Sequence, residues 1–242
     1  MRLNKLALAT LVIGIMASAS GSGALAQTVS AHAHDFVRRG NQEYAKSNYK
    51  LAIEEYRQVP SSAGETYAQA LYNIGVCHYE LWQTEEAVIY YRRAVAASNR
   101  RYPVALHALG VALKDLGRMP EAKKAFAQSV RASDGNYAPA HFMLGLLAMG
   151  EADHEAAAAS FKQAIVHFRG RFAAAHNNLG VALARMGRLP EAKREFEIAL
   201  IQADGELSEA TNNLRLCSSL LALPPKSIAA LKLLEAPHRS NK

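Results

Sequence analysis

Residues 109–126 read LGVALKDLGRMPEAKKAF and residues 179–196 read LGVALARMGRLPEAKREF, identical at twelve of the eighteen positions. Each copy parses as helix, turn, helix. In the first half, apolar residues recur at helical spacing, as in Leu106, Leu109, Val111, Leu113 and Leu116, which marks one buried face. Gly117 and Gly187 then stand where a helix can end on a left-handed residue. Pro120 and Pro190 fit the first turn of a new helix, where the missing N–H is not needed. Glu121 and Glu191 follow and bring a carboxylate to the positive end of the helix dipole. In other copies Thr84 and Asp153 are the expected N-caps.

The same phase extends along the chain. Gly40, Gly75, Gly110, Gly145 and Gly180 are each separated by 35 residues. Twelve residues after each stands an alanine (Ala52, Ala87, Ala122, Ala157, Ala192), and four after that an aromatic (Tyr56, Tyr91, Phe126, Phe161, Phe196). A further small residue follows at Ala94, Ser129, Ala164 and Ala199. A period of this length is one supersecondary unit that buries its apolar face only by stacking on copies of itself. Glycine inside a helix costs about 1 kcal/mol relative to alanine, so five in phase need a structural reason. The expected one is close approach of the paired helix, with the alanine small for the same crossing. The aromatic is expected to fill the wider space toward the following repeat.

Small residue, alanine, aromatic and small residue at these offsets resemble the tetratricopeptide repeat, whose usual length is about 34 residues. The resemblance covers roughly Ala33 to Asp204 and places the extra residue in inter-repeat turns such as Ser98–Tyr102 and Phe168–Arg171. It implies an all-α fold, a superhelix of stacked antiparallel helix pairs, with five tandem repeats in residues 27–205. Ser208 to Leu223 resembles a sixth first helix, although Arg215 occupies the glycine phase. Pro224-Pro225 breaks the chain and Lys226–Glu235 can form a final helix, so residues 206–242 are expected to cap the stack and to fray from Ala236.

Residues 1–26 read as a secretory signal peptide: a basic start at Arg2 and Lys5, an apolar run from Leu6 to Met16, small residues from Ser18, and Ala24-Leu25-Ala26 before Gln27. An uncleaved membrane anchor is the alternative reading; no later stretch could cross a bilayer. Periplasmic or secreted localisation is therefore expected. Loss of Arg2 and Lys5 takes the net charge from +7 to +5, spread in pairs such as Arg92-Arg93 and Lys193-Arg194, as on a solvated face. Cys77 and Cys217 share one phase of the repeat and lie four periods apart, which predicts two free, buried thiols.

No chemistry-bearing motif is present: no H-E-x-x-H, G-x-S-x-G, Walker A loop or C-x-x-C. No catalytic residue, cofactor or metal is expected. His32, His34 and Asp35 lie on the mature N-terminus, and Asp153, His154 and Glu155 are consecutive at a helix start and so diverge. His107, His141 and His176 recur near the start of first helices and read as packed imidazoles or a polar rim. An enzyme, supported only by the histidine count, is a remote alternative.

The resemblance also implies that the first helices supply a concave wall. Residues three before, one after and four after each packing glycine share a helical stripe. These are Val37, Asn41 and Tyr44; Tyr72, Val76 and Tyr79; His107, Val111 and Lys114; Phe142, Leu146 and Met149; Asn177, Val181 and Ala184. Asn73, Asn178 and Asn213 sit two before the glycine phase, where an amide can hold an extended peptide backbone. Ala108 and Met143 interrupt that ladder. Asn41 and Asn73 match part of a carboxylate clamp, but its cationic positions are Val37, Val104 and Ala108, which excludes it. The expected function is a scaffold or adaptor holding a protein or peptide partner in this groove, with no nucleic acid and no stable membrane insertion once the leader is cleaved. The alternative is a basic surface for an anionic envelope polymer or membrane component.

Overall fold

The computed structural model describes residues 30–222; the leader over 1–26 and the final helix expected over Lys226–Glu235 lie outside them. The described residues form eleven α-helices and no strand. They fall into two compact units, up to Arg100 and from Arg101 onward.

The first unit contains α1 (30–45), α2 (Tyr49–Arg57), α3 (Glu65–Glu80) and α4 (Thr84–Ala97). Its core gathers Ala33, Val37, Ala52, Ile53, Tyr56, Val59, Ala70, Ile74 and Cys77. Helix α3 packs on α4 and on α2. A one-turn 3-10 helix, Ser61–Ala63, joins the two pairs.

The second unit holds α5 (Pro103–Asp115), α6 (Met119–Ala132), α7 (Ala138–Gly150), α8 (His154–His167), α9 (Ala173–Arg185), α10 (Leu189–Gln202) and α11 (Ser208–Ala222). The hairpins α5–α6, α7–α8 and α9–α10 stack through α6–α7 and α8–α9 contacts, and α11 packs on α10 and α9.

The phased residues have clear roles. All five phase alanines are buried, as are Ala94, Ser129, Ala164 and Ala199. Ser129, alone among these small positions in carrying a hydroxyl, donates it to the Pro103 carbonyl at 2.7 Å. Each glycine lets its paired helix approach, as expected, and what fills the space is the ring of its own repeat, sixteen residues on. A Cβ on Gly75 would stand 2.6 Å from Tyr91, and one on Gly145 would stand 2.5 Å from Phe161. The aromatic therefore turns inward onto its own first helix instead of reaching toward the following repeat.

Turn chemistry follows the punctuation. Gly117 and Gly187 have φ of 73° and 76° just past α5 and α9. Ser47, Trp82 and Ala152 take the same left-handed conformation at the matching positions. The turns after α4, α6, α8 and α10 each use two successive left-handed residues, Asn99-Arg100, Asp134-Gly135, Arg169-Gly170 and Asp204-Gly205, whereas the link after α2 has Gly64 alone. Asp153 caps α8, accepting from the Ala156 N–H at 3.0 Å. Thr84 does not cap; it is the first residue of α4, and Gln83 precedes it without a side-chain cap. Arg118 and Arg188 each grip the glutamate three residues on, Glu121 and Glu191, at 2.7 Å. Cys77 and Cys217 are free and buried, and burial lifts the Cys77 thiol to about 12.

Candidate partner-binding faces

In the first unit, α1 and α3 bring six of the projected wall residues to one region. Asn41 is exposed, while Tyr44, Tyr72, Asn73, Val76 and Tyr79 are half-buried. The Tyr44 hydroxyl donates to Glu80 Oε1 at 3.2 Å. Its pKa is pushed up to about 12, first by burial and then by the Glu80 charge. Two projected amides, Asn73 of the ladder and Asn41 of the wall stripe, already serve each other: Asn73 Nδ2 donates to Asn41 Oδ1 at 3.2 Å, and the Tyr56 hydroxyl donates to the same oxygen at 2.7 Å. Val37, projected on the wall, is buried in the core.

In the second unit, α5 and α7 carry the corresponding stripe. Val111, Lys114, Leu146 and Met149 are half-buried, and Lys114 pairs with Asp115 at 3.3 Å. His107 is drawn between Phe126 and Tyr137, with ring centroids 5.5 and 5.6 Å away. Burial lowers its pKa to about 4, so the imidazole is neutral. Phe142 is not a wall residue. It is 1% exposed and packs on Phe161 at 5.7 Å and Phe172 at 4.8 Å.

These corrections share one cause. The residue three before the glycine lies over the inward-turned aromatic of its own repeat, as in Tyr72–Tyr91 at 5.8 Å, His107–Phe126 and Phe142–Phe161. The positions one and four after the glycine, such as Val76 and Tyr79 or Val111 and Lys114, keep a face toward solvent.

In α9 even those are closed. Ten successive residues, Ala175 to Ala184, are buried, so Asn177, Asn178, Val181 and Ala184 present no open face. Asn213 on α11 is buried too, and its Nδ2 donates to Asn177 Oδ1 at 2.9 Å, while Asn177 Nδ2 donates to Asn178 Oδ1 at 3.1 Å. Buried amides need partners, and here they find them in one another; the projected backbone grip at Asn177, Asn178 and Asn213 is replaced by an internal network.

The histidines act as latches. His141 Nε2 meets the Gly135 carbonyl at 2.8 Å, and His176 Nε2 meets the Gly170 carbonyl at 3.3 Å, one period apart. His176 Nδ1 also pairs with Glu195 at 2.7 Å. Asp35 is engaged by Arg38 and Arg39, and among the described residues no three His, Cys, Asp or Glu side chains are grouped to hold a metal. No described helix is long and apolar enough to cross a membrane.

Sequence reasoning missed one feature: a cavity of about 250 Å³ at the seam of α2, α3 and α4, bordered by Tyr67, Tyr90, Arg57 and Arg93. The signal available was the departure of Tyr90 and Arg93 from Ser160 and Gln163, their counterparts two periods on.

Helix hairpins in fixed phase, with first-helix residues left half-exposed, define a helical-repeat protein. The tetratricopeptide repeat family model matches residues 37–105, 107–164 and 142–206, and the chain belongs to that family. No curated protein sequence matches it. Among solved structures, a MamA protein is similar at 21% identity with a TM-score of 0.59, covering 73% of this chain and 97% of its own. A thermophilic repeat protein from Thermus thermophilus is 25% identical with a TM-score of 0.50, covering 79% and 100%. YrrB, described as having an unusual peptide-binding site, is 18% identical with a TM-score of 0.56, covering 78% and 91%. The neighbours below 25% identity establish the fold alone.

Proposed function

We propose that this chain is an exported adaptor, acting in the periplasm or after secretion, that holds a protein or peptide partner on its first helices. Membership of a repeat family that generally binds protein or peptide partners supports the scaffold reading. The leader-like residues 1–26 support export. The reading is of a non-catalytic protein. The observation that carries the binding face is the set of apolar and aromatic side chains still half-open one and four residues after the glycines: Tyr44, Val76 and Tyr79 in the first unit, Val111, Leu146 and Met149 in the second. Apolar groups that recur along one helical stripe and stay partly in water are the kind of patch a partner surface covers.

The test is affinity capture from envelope extracts with Val76→Glu and Val111→Glu variants, whose melting is checked by circular dichroism. Loss of the captured protein with an intact fold is expected. An unchanged set of captured proteins would remove this face from the function, and retention that collapses between low and physiological salt would favour the anionic-polymer alternative.

A further inference from the structure

The seam of the first unit has a built character that its counterparts lack. Ala70, Leu71 and Ile74 are buried and form an apolar floor beneath a cavity of about 250 Å³. Two guanidinium groups stand at its border. Arg93 donates to the Tyr67 hydroxyl at 3.4 Å and lies over the Tyr90 ring, 5.0 Å from its centroid. The other neighbour of that ring is His78, stacked at 5.1 Å and 14°. Arg57 hydrogen-bonds Tyr90 from the α2 side, and Glu54 takes one of its arms at 3.0 Å. Among the described residues, no carboxylate lines the cavity itself.

The chain supplies its own comparison. Two and three periods on, the position of Arg57 is taken by Ala127 and Lys162, and that of Arg93 by Gln163 and Ile198. The position of Leu71 becomes His141 and His176, and that of Tyr90 becomes Ser160 and Glu195. At the last of these seams His176 and Glu195 close on each other at 2.7 Å. Among the described seams, only that of the first unit combines two guanidinium groups with an apolar floor.

We propose that this seam binds an oxyanion carried on an apolar body: a carboxylate attached to a group the size of a leucine or phenylalanine side chain. A guanidinium is suited to a carboxylate through parallel N–H donors, and the floor takes the hydrocarbon. The cavity volume suits one side chain, which excludes a folded domain as occupant. A peptide C-terminus and a free organic acid share this chemistry. The site shares no residue with the adaptor face: Arg57, Tyr90 and Arg93 lie on second helices, and its α3 residues Tyr67, Ala70, Leu71 and Ile74 are distinct from Val76 and Tyr79.

The experiment is a titration of the purified protein, followed by amide NMR shifts, with N-acetyl-phenylalanine, its carboxamide, 3-phenylpropionate and inorganic phosphate. Saturable shifts at Tyr67, Leu71 and Tyr90 are expected with the two carboxylates, with at least tenfold weaker binding of the carboxamide. Arg57→Gln and Arg93→Gln should each weaken binding about tenfold, with the melting curve unchanged, while Lys124→Gln on α6 leaves it intact. A tighter N-acetyl-phenylalanine complex assigns the source to peptide C-termini, and a tighter phenylpropionate complex to free acids. Equal binding of carboxylate and carboxamide, no saturable shift, unaltered binding in the Arg57→Gln/Arg93→Gln double variant, or phosphate binding as tight as the carboxylates would each overturn the assignment.

Discussion

The ring of Phe126 rests against Gly110 so closely that a methyl group on that glycine would stand 2.6 Å from Cε1. Gly180 and Phe196 repeat the relationship at the same 2.6 Å. The glycine and the aromatic are thus one packing element, split across the two helices of a hairpin.

Gly110→Ala is expected to destabilise the protein by about 1–3 kcal/mol through overpacking, although alanine is the better helix former by about 1 kcal/mol. In a Phe126→Leu background the same change should lose most of its cost. A double-mutant cycle from denaturant unfolding measures the coupling. Independent, additive effects would mean that the glycine is not there for the ring.

Trp82 and Arg100 occupy left-handed positions, with φ of 61° and 65°, where Gly117 and Gly135 stand one period on. Side chains are strained there, and Trp82 is 91% exposed, so its indole buries almost nothing in return. Trp82→Gly and Arg100→Gly are each expected to raise the unfolding free energy by about 0.5–1 kcal/mol, net of glycine's greater unfolded-chain entropy. Denaturation midpoints at constant slope give the answer.

His107 has a folded pKa of about 4, against an ordinary value of 6.5, because it is buried. The unfolded chain therefore binds the proton more readily. Stability is full above pH 6.5 and declines as pH falls toward 4, by about 2 kcal/mol at pH 5 from this group. His107→Leu should flatten the drop in urea midpoint between pH 7.5 and pH 5. A residual slope is expected from His141, whose pKa burial also lowers.

Asn177 accepts from Asn213 and donates to Asn178 within the buried network. Asn177→Ala should cost about 1–3 kcal/mol by stranding a buried amide, whereas Asn212→Ala, at an exposed position on α11, should cost much less. Unfolding midpoints compare the two. An Asn177→Ala protein of full stability that had lost its captured partner would show the amide serving a ligand instead.

The fold was legible because its signals are periodic and local. The spacing of Gly110, Ala122 and Phe126 recurs in all five copies, and Gly117 and Pro120, like Gly187 and Pro190, punctuate their hairpins by backbone geometry that needs no distant partner. The candidate face was legible in half. Projection on a helical stripe grouped Val76 with Tyr79 and Val111 with Lys114, which stay half-exposed, but it set the buried Phe142 and Asn177 among them. A stripe drawn on an isolated helix does not know which neighbours arrive on either side.

That distinction divides what could be learned at each level. Period, helix limits and family follow from residue spacing alone, since each depends on backbone preferences and burial patterns that repeat every 35 residues. Burial of α9 on all sides, the turning of each aromatic onto its own glycine, and the pairing of Arg57 with Arg93 around a cavity depend on side chains meeting from different helices. Such meetings are set by packing among elements distant in sequence, where a single ring direction decides which polar groups are sealed in and which stay open to a partner.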